Sequence, residues 1–136
     1  MTSGLPKVRY ARLNSLVPNR KMRRISRHRF QEELDRILAG LRRYHPQKVI
    51  LFGSFARGDY HAASDVDLLI IEETERPFAE RVGDVLASCD YSIPLEPLVY
   101  TPEEFERMRR ENNPFIEQVL REGRIIYESY IPARGG

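Results

Sequence analysis

The feature that most constrains this chain is a pair of apolar runs, each joined to a short polar motif. The first run covers residues 49–52 and is followed at once by Gly53 and Ser54. The second run covers residues 68–71 and is preceded by an Asp-Val-Asp triplet, and ten residues separate Ser54 from the first of these aspartates. Apolar runs of this length predict two buried strands, so both polar motifs are predicted to lie at strand ends.

Asp65 and Asp67 lie two residues apart at the start of the second predicted strand. Because side chains alternate along a strand, the two carboxylates point to the same side. Neighbouring carboxylates repel each other unless a cation lies between them. Carboxylate oxygens suit Mg²⁺ or Mn²⁺, which take their remaining ligands from water and substrate phosphates. We therefore predict a metal site at Asp65 and Asp67.

The turn after the first strand carries residue types that suit a phosphate group. Gly53 allows a close backbone approach, and Ser54 adds a hydroxyl donor. Backbone N–H groups at such a turn favour an anion. Arg57 is predicted either to neutralise phosphate charge or to pair with Asp59, and both interpretations stay open. Ser64 is predicted to cap the turn, with a direct role in the site as the alternative.

The combination of Gly-Ser, ten residues and Asp-x-Asp resembles the signature of the DNA polymerase beta nucleotidyltransferase superfamily. The sequence Gly-Ser-Phe-Ala-Arg-Gly at residues 53–58 and the small size of the chain resemble the minimal nucleotidyltransferase branch of this superfamily. The resemblance covers about residues 30–128. It implies a polymerase-beta-like catalytic domain that transfers AMP from ATP to a hydroxyl group. Asp65 and Asp67 would be the catalytic metal ligands, and Gly53 and Ser54 would bind the β- and γ-phosphates.

The family places a third carboxylate on the next core strand, and Glu96 is the acid of the corresponding segment, residues 93–100. By the resemblance, Glu96 is a general base or a second-metal ligand. It departs from the usual Asp by one methylene, and Pro97 beside it cannot donate a ladder hydrogen bond. An acid on an edge strand without a catalytic role is therefore the alternative.

The resemblance also implies a partner, because the chain is little more than a catalytic core and the acceptor must come from elsewhere. In the minimal branch the partner is often a HEPN-domain protein, a helical RNase toxin, and the nucleotidyltransferase is the antitoxin of the pair. Two other functions stay open: an inactive module of the same fold that masks a partner protein, and a nucleic-acid-binding protein that uses the basic N-terminal arm. Association into a homo-oligomer is also left open.

Charge and composition favour an ordinary globular domain with a basic arm. The first 29 residues hold nine of the 22 Lys and Arg residues and none of the 20 acids, so the remainder carries 13 basic against 20 acidic residues, a net charge of −7. No apolar run approaches the length of a membrane span. The single cysteine, Cys89, excludes an internal disulfide and favours a cytoplasmic location.

The pattern of elements predicts an α/β domain with a small mixed β-sheet packed with helices. We expect an irregular arm at 1–25, a nucleotidyltransferase domain at 26–129 and a tail at 130–136. Within the domain, the sequence predicts helices from Ser26 to about 44, from 78, from a capping box at Thr101, and from 114 to about 123. Strands are predicted at 48–52, 66–72, 95–100 and 124–127.

Overall fold

Five strands and five α-helices make up the part of the chain that the computed structural model describes, residues 7–9 and 25–130. A 3₁₀ turn, Arg42–Tyr44, follows the first helix. In chain order the strands and α-helices are β1 (Lys7–Arg9), α1 (Arg27–Leu41), β2 (Lys48–Phe52), α2 (Ser54–Arg57), β3 (Val66–Ile71), α3 (Phe78–Ser88), β4 (Leu95–Tyr100), α4 (Pro102–Arg110), α5 (Pro114–Glu122) and β5 (Arg124–Tyr130).

The strands form one mixed sheet in the order β1-β5-β2-β3-β4. The pairs β1/β5, β5/β2 and β2/β3 are antiparallel, and the pair β3/β4 is parallel. The parallel pair sets Asp67 beside Glu96 in register. This pairing confirms the predicted mixed sheet, and it brings residues almost thirty positions apart in the chain to one end of the sheet.

Local signals explain where the helices begin. The Ser26 hydroxyl accepts a hydrogen bond from Arg29 N at 3.0 Å and caps α1, as predicted. Thr101 and Glu104 form both bonds of a capping box at the start of α4. Asn113 caps α5 through Phe115 N. These short-range bonds fix helix starts, so their positions could be predicted from the sequence.

Two apolar clusters lie on opposite faces of the sheet, because alternate residues of each strand belong to different clusters. The larger cluster packs α1 and α3 on the face that carries Val49, Leu68 and Ile70. The smaller cluster packs α4 and α5 on the face that carries Ile50 and Leu69. By the same alternation, Asp67 and Glu96 share the α4/α5 face. The domain is therefore a sheet with helices on both sides, which is the predicted fold class.

Two predicted boundaries need correction. Residues 7–9 lie in the arm that was predicted to be irregular, but they form β1 and pair antiparallel with β5. The open edge of β5 provides backbone partners for them, and a three-residue strand is too short to show periodicity in the sequence. The β5 strand also extends to Tyr130, beyond the predicted 127. The rest of the predicted arm, 1–6 and 10–24, and the tail from 131 lie outside the described residues.

Within residues 7–9 and 25–130, none of the helices has the length and apolar character needed to cross a lipid bilayer.

Candidate active site

The site begins at the turn between β2 and α2. Gly53 has a φ of +76°, a conformation that side chains other than glycine rarely adopt. A Cβ atom at this position would overlap the carboxylate of Asp67 on the adjacent strand. Gly53 is therefore required twice, by the backbone conformation and by the close approach of Asp67.

Aromatic packing holds α2 against the body of the domain. Phe55 is 2% exposed and stacks on Phe30 of α1, with ring centroids 4.6 Å apart. It also stacks on Tyr60, with centroids 4.4 Å apart. The helix has only four residues and could not persist alone, so this burial is what fixes the position of Ser54 and Arg57.

Three carboxylates come together at the N-terminal ends of β3 and β4. Asp67 and Glu96 are register partners on the two parallel strands, and Asp65 lies just before β3. Burial raises the pKa of Asp67 to about 6, and the charges of Glu96 and Asp65 contribute to the rise. The pKa of Glu96 is also raised, through a hydrogen bond shared with Asp65 and through repulsion from it. The structure thus brings together the three acids that the sequence singled out.

The donor set fits a divalent cation completed by substrate oxygens. Among the described residues, no group of three or more His, Cys, Asp or Glu side chains is arranged to hold a metal ion by itself. A magnesium site does not require one, because Mg²⁺ commonly binds one or two carboxylates together with water and substrate phosphates. Asp65 and Asp67 are the side chains that would hold it. Burial is the main cause of the raised pKa of Asp67, and repulsion from Glu96 and Asp65 adds to it; a cation would relieve that repulsion.

Ser54 and Ser64 join the two motifs directly. The Ser54 hydroxyl donates to the Ser64 hydroxyl at 2.9 Å, and Ser64 Oγ also accepts from His61 N at 2.9 Å. Ser64 is buried and immediately precedes Asp65. Its predicted capping bond is therefore present, and it fixes the end of the loop that leads into the acidic pair.

Arg57 makes two ion pairs at the edge of the site. Its Nε atom donates to Asp59 Oδ2 at 3.2 Å, which is the pair that the sequence suggested. Its Nη1 atom also donates to Glu122 Oε1 at 2.7 Å. Arg57 lowers the pKa of Asp67, so its charge acts on the carboxylate cluster even while both bonds are made. Glu122 was missed because it lies 65 residues away in the sequence.

Glu33 is the second residue that sequence reasoning missed. It is completely buried on α1 and accepts hydrogen bonds from Ser92 N at 2.6 Å, Ser92 Oγ at 2.8 Å and Ile93 N at 2.8 Å. Burial alone would raise the pKa of Glu33, but these hydrogen bonds hold it below its usual value. An acid on the apolar face of the α1 pattern, three residues after Phe30, was the signal that could have revealed it.

The Glu33 contacts fix the segment from which β4 and Glu96 begin. In the same segment, Pro94 O accepts a hydrogen bond from Val66 N at 2.8 Å. Val66 stands between the two aspartates of the motif. Glu33 therefore supports the relative position of the acidic pair and the third carboxylate, through the backbone of residues 92–94.

The family profile described as polymerase beta, nucleotidyltransferase matches residues 32–130 of this chain. That span includes both motifs, Glu96 and every strand of the sheet except β1. The chain belongs to the polymerase beta nucleotidyltransferase family. It is therefore a nucleotidyltransferase, and the carboxylate cluster lies at the position that the motif predicted.

Two archaeal relatives support this assignment. The chain is 36% identical over 81 residues to "Putative protein adenylyltransferase MJ0604" of Methanocaldococcus jannaschii, covering 60% of this chain and 78% of the relative. It is 41% identical over 58 residues to "Putative protein adenylyltransferase MJ0141" of the same organism, covering 39% of this chain and 58% of that relative.

Among solved structures, a toxin–antitoxin crystal structure with AMP-PNP matches with a TM-score of 0.49 and 19% identity, over 70% of this chain and 73% of that one. A nucleotidyltransferase from Sulfolobus solfataricus matches with a TM-score of 0.45 and 19% identity, over 71% of this chain and 83% of that one. At these scores neither likeness carries an argument about function.

Proposed function

We propose that this nucleotidyltransferase transfers AMP from ATP to a hydroxyl group on a partner protein, with Mg²⁺ or Mn²⁺ as the metal. The observation that carries the proposal is the convergence of Asp65, Asp67 and Glu96 beside Gly53. These carboxylates repel one another where they are, so the arrangement costs stability without a cation. Such an arrangement is expected where function requires it.

Each side chain of the site has a role in this reaction. Asp65 and Asp67 would hold the metal, which when bound neutralises triphosphate charge and polarises the reacting phosphoryl group. The Gly53 turn would bind the β- and γ-phosphates through its backbone N–H groups, and Ser54 offers a hydroxyl to them. Arg57 adds positive charge at the edge of the site.

The proposed transfer is an in-line displacement at the α-phosphorus. The acceptor oxygen forms a bond to this phosphorus, and the bond to the bridging oxygen breaks so that pyrophosphate leaves. Glu96 takes the proton of the acceptor hydroxyl as general base. The rest of the chain holds the groups in place and supplies no nucleophile.

The substrate and partner rest on the relatives and on the motif. The names of the two archaeal relatives refer to protein adenylylation, which favours ATP and a protein hydroxyl here. The resemblance to the minimal branch makes a HEPN-domain protein the first partner to test, in a toxin–antitoxin pair within the cytoplasm. The single cysteine is compatible with that reducing compartment.

A second candidate is a non-catalytic module that keeps the fold and masks its partner. The favouring observation is Glu96 itself, which replaces the usual Asp, shares a hydrogen bond with Asp65 and is followed by Pro97. Under this proposal the carboxylates pair with each other instead of serving a reaction. ATP binding without transfer would distinguish the module from the enzyme.

The test is transfer of label from [α-³²P]ATP to a HEPN-domain protein, with Mg²⁺, Mn²⁺ or EDTA. The enzyme proposal predicts label on the acceptor that requires metal and disappears in Asp65→Asn/Asp67→Asn. Asp35→Asn is the matched control, because Asp35 is an exposed acid on α1 that accepts a hydrogen bond from Gln31 Nε2 and belongs to neither motif. Metal-dependent ATP binding with no label on any acceptor would support the masking module instead.

A further inference from the structure

A cleft lies at the other end of β3, beyond its C-terminal residue Ile71. Its volume is about 310 Å³. Glu72 stands five positions after Asp67, or roughly 16 Å along a strand. The cleft also opens on the α1/α3 side of the sheet, opposite to the face that carries Asp67 and Glu96. Its polar lining is formed by Tyr44, Glu72, Thr74, Arg76, Arg81 and Asp84.

Glu72 is the unsatisfied group of this cleft. It is only 4% exposed, and among the described residues its buried Oε1 atom has no hydrogen-bond partner. Burial raises the pKa of Glu72 to about 7, with Asp84 raising it further and Arg81 opposing the rise. Leaving a buried carboxyl oxygen without a donor is costly, so the position calls for a group that can donate to it.

The neighbouring polar groups are already engaged. Arg81 donates to Glu104 Oε1 at 2.7 Å and to the carbonyl oxygens of Arg76 and Val99. The Tyr44 hydroxyl donates to Asp84 O at 3.0 Å. None of these bonds reaches Oε1 of Glu72, and neither does the Thr74 hydroxyl, which accepts from Arg76 N at 3.0 Å. A donor from a bound ligand would satisfy the carboxyl group.

The charges of the cluster point to the kind of donor. Arg76 pairs with Glu80 and Asp84, and Arg81 pairs with Glu104. Glu72, in contrast, makes no ion pair within the described part of the chain. A cationic ligand would stabilise the ionised form of Glu72, and an anionic one would be repelled by it.

We propose that this cleft binds a small organic cation, an alkylguanidinium or alkylammonium, whose N–H groups donate to Glu72. The volume lies at the lower end of the range for small-molecule sites, which suits a short alkyl chain and excludes a folded partner. The side wall formed by Val85 would contact the alkyl chain. This site is separate from the nucleotidyl-transfer site, so the two proposals can fail independently.

Calorimetric titration of the full chain with butylguanidinium and butylammonium tests the proposal. Butylurea is the neutral analogue of closely similar shape, and it should bind at least tenfold more weakly than butylguanidinium. Glu72→Gln preserves the side-chain shape and should weaken binding of the better cation at least tenfold. Glu73→Gln is the matched control, because the neighbouring Glu73 is exposed and outside the cleft.

The outcomes are distinct. Saturable binding of either cation that is lost in Glu72→Gln and kept in Glu73→Gln and Asp67→Asn supports the site. Absence of saturable binding to the wild-type chain up to about 10 mM would overturn it. Equal affinity for butylguanidinium and butylurea would do so as well, and this comparison uses the wild-type chain alone. Retention of binding in Asp67→Asn separates the result from that of the nucleotidyl-transfer test.

Discussion

The two ends of β3 place acids of raised pKa in different electrostatic surroundings. At the N-terminal end, Asp67 faces two further carboxylates, and these raise its pKa in addition to burial. At the C-terminal end, Glu72 lies near Arg81, which opposes the effect of burial on its pKa. Burial raises the pKa of both acids, but the charged neighbours of Asp67 include two carboxylates, whereas those of Glu72 are one carboxylate, Asp84, and Arg81. The composition of the cluster, more than the shift of one group, is therefore the basis for proposing a metal site at the N-terminal end.

Glu33 is a third acid with which Asp67 and Glu72, at the two ends of β3, can be compared. It is the least exposed of these acids, yet its pKa is lowered, because hydrogen bonds from Ser92 and Ile93 and the charge of Arg36 outweigh the effect of burial. Burial therefore leaves a carboxylate unfavourable only where donors and opposite charges do not compensate for it. Glu72 differs from Glu33 because its Oε1 atom has no hydrogen-bond donor among the described residues. Asp67 differs from Glu33 because neighbouring carboxylates repel its charge.

The largest effect is expected when both metal-site acids are neutralised. Asp65→Asn/Asp67→Asn should reduce AMP transfer by about a thousandfold, which corresponds to about 4 kcal/mol in activation free energy. It should also abolish metal-dependent ATP binding in calorimetry. Because the variant removes repulsion, it should unfold at a higher urea concentration than wild type in EDTA. Glu72→Gln should leave the transfer rate unchanged. A comparable fall in transfer rate in this variant and in the double variant would contradict the assignment of the chemistry to the N-terminal end of β3.

Glu96→Gln should have the next largest effect on the reaction. Removal of a general base should reduce the transfer rate by about a hundredfold while most of the ATP affinity is kept. Single-turnover measurements of labelled AMP transfer, together with calorimetry, separate these two quantities. Glu103→Gln on α4 is a suitable control acid outside the site. If the rate is undiminished in Glu96→Gln, Glu96 is an edge-strand acid without a catalytic role.

Gly53→Ala should affect both folding and the site. The positive φ and the overlap with Asp67 should destabilise the chain by about 2 kcal/mol, measured by urea unfolding. Gly83→Ala is the matched control, because a Cβ there meets no atom within 4 Å. Alanine is the better helix former, so this control should be neutral or stabilising. Equal stability of the two variants would show that Asp67 does not approach Gly53 as described.

The smallest effect concerns the pH dependence of stability that Glu72, at the C-terminal end of β3, should produce. The folded chain keeps the proton of Glu72 up to about pH 7, whereas the unfolded chain releases it near the ordinary value of 4.5. The free energy of unfolding should therefore be highest, for this group, below pH 4.5, and fall as the pH rises to about 7. Arg81 and Asp84 act on Glu72 directly, and Tyr44, Arg76 and Glu104 complete the charged surroundings.

Glu72→Gln should remove this part of the slope and stabilise the chain at pH 8 by about 1–3 kcal/mol. Urea unfolding at several pH values between 5 and 8 measures the difference, and Glu73→Gln should follow the wild-type curve. A wild-type slope that persists in Glu72→Gln would mean that other groups carry the pH dependence.

The sequence alone determined the local features of this protein. Helix caps, short strands and sequence motifs depend on residues that are near one another in the chain, so the amino-acid sequence reveals them. Examples are the caps at Ser26, Thr101 and Asn113, the strands at 48–52 and 95–100, and the combination of Gly-Ser with Asp-x-Asp. The family, the mixed α/β fold and the acids of the site could therefore be predicted from the sequence.

Only the tertiary structure decided the contacts between distant segments. The bonds of Glu33 to the start of β4 span about sixty residues, and Arg57 reaches Glu122 across 65. The pairing of β1 with β5 and the unsatisfied Oε1 atom of Glu72 likewise depend on which segments pack against the sheet. No local pattern encodes these contacts, because packing energy depends on which surfaces meet, and chain order does not specify that.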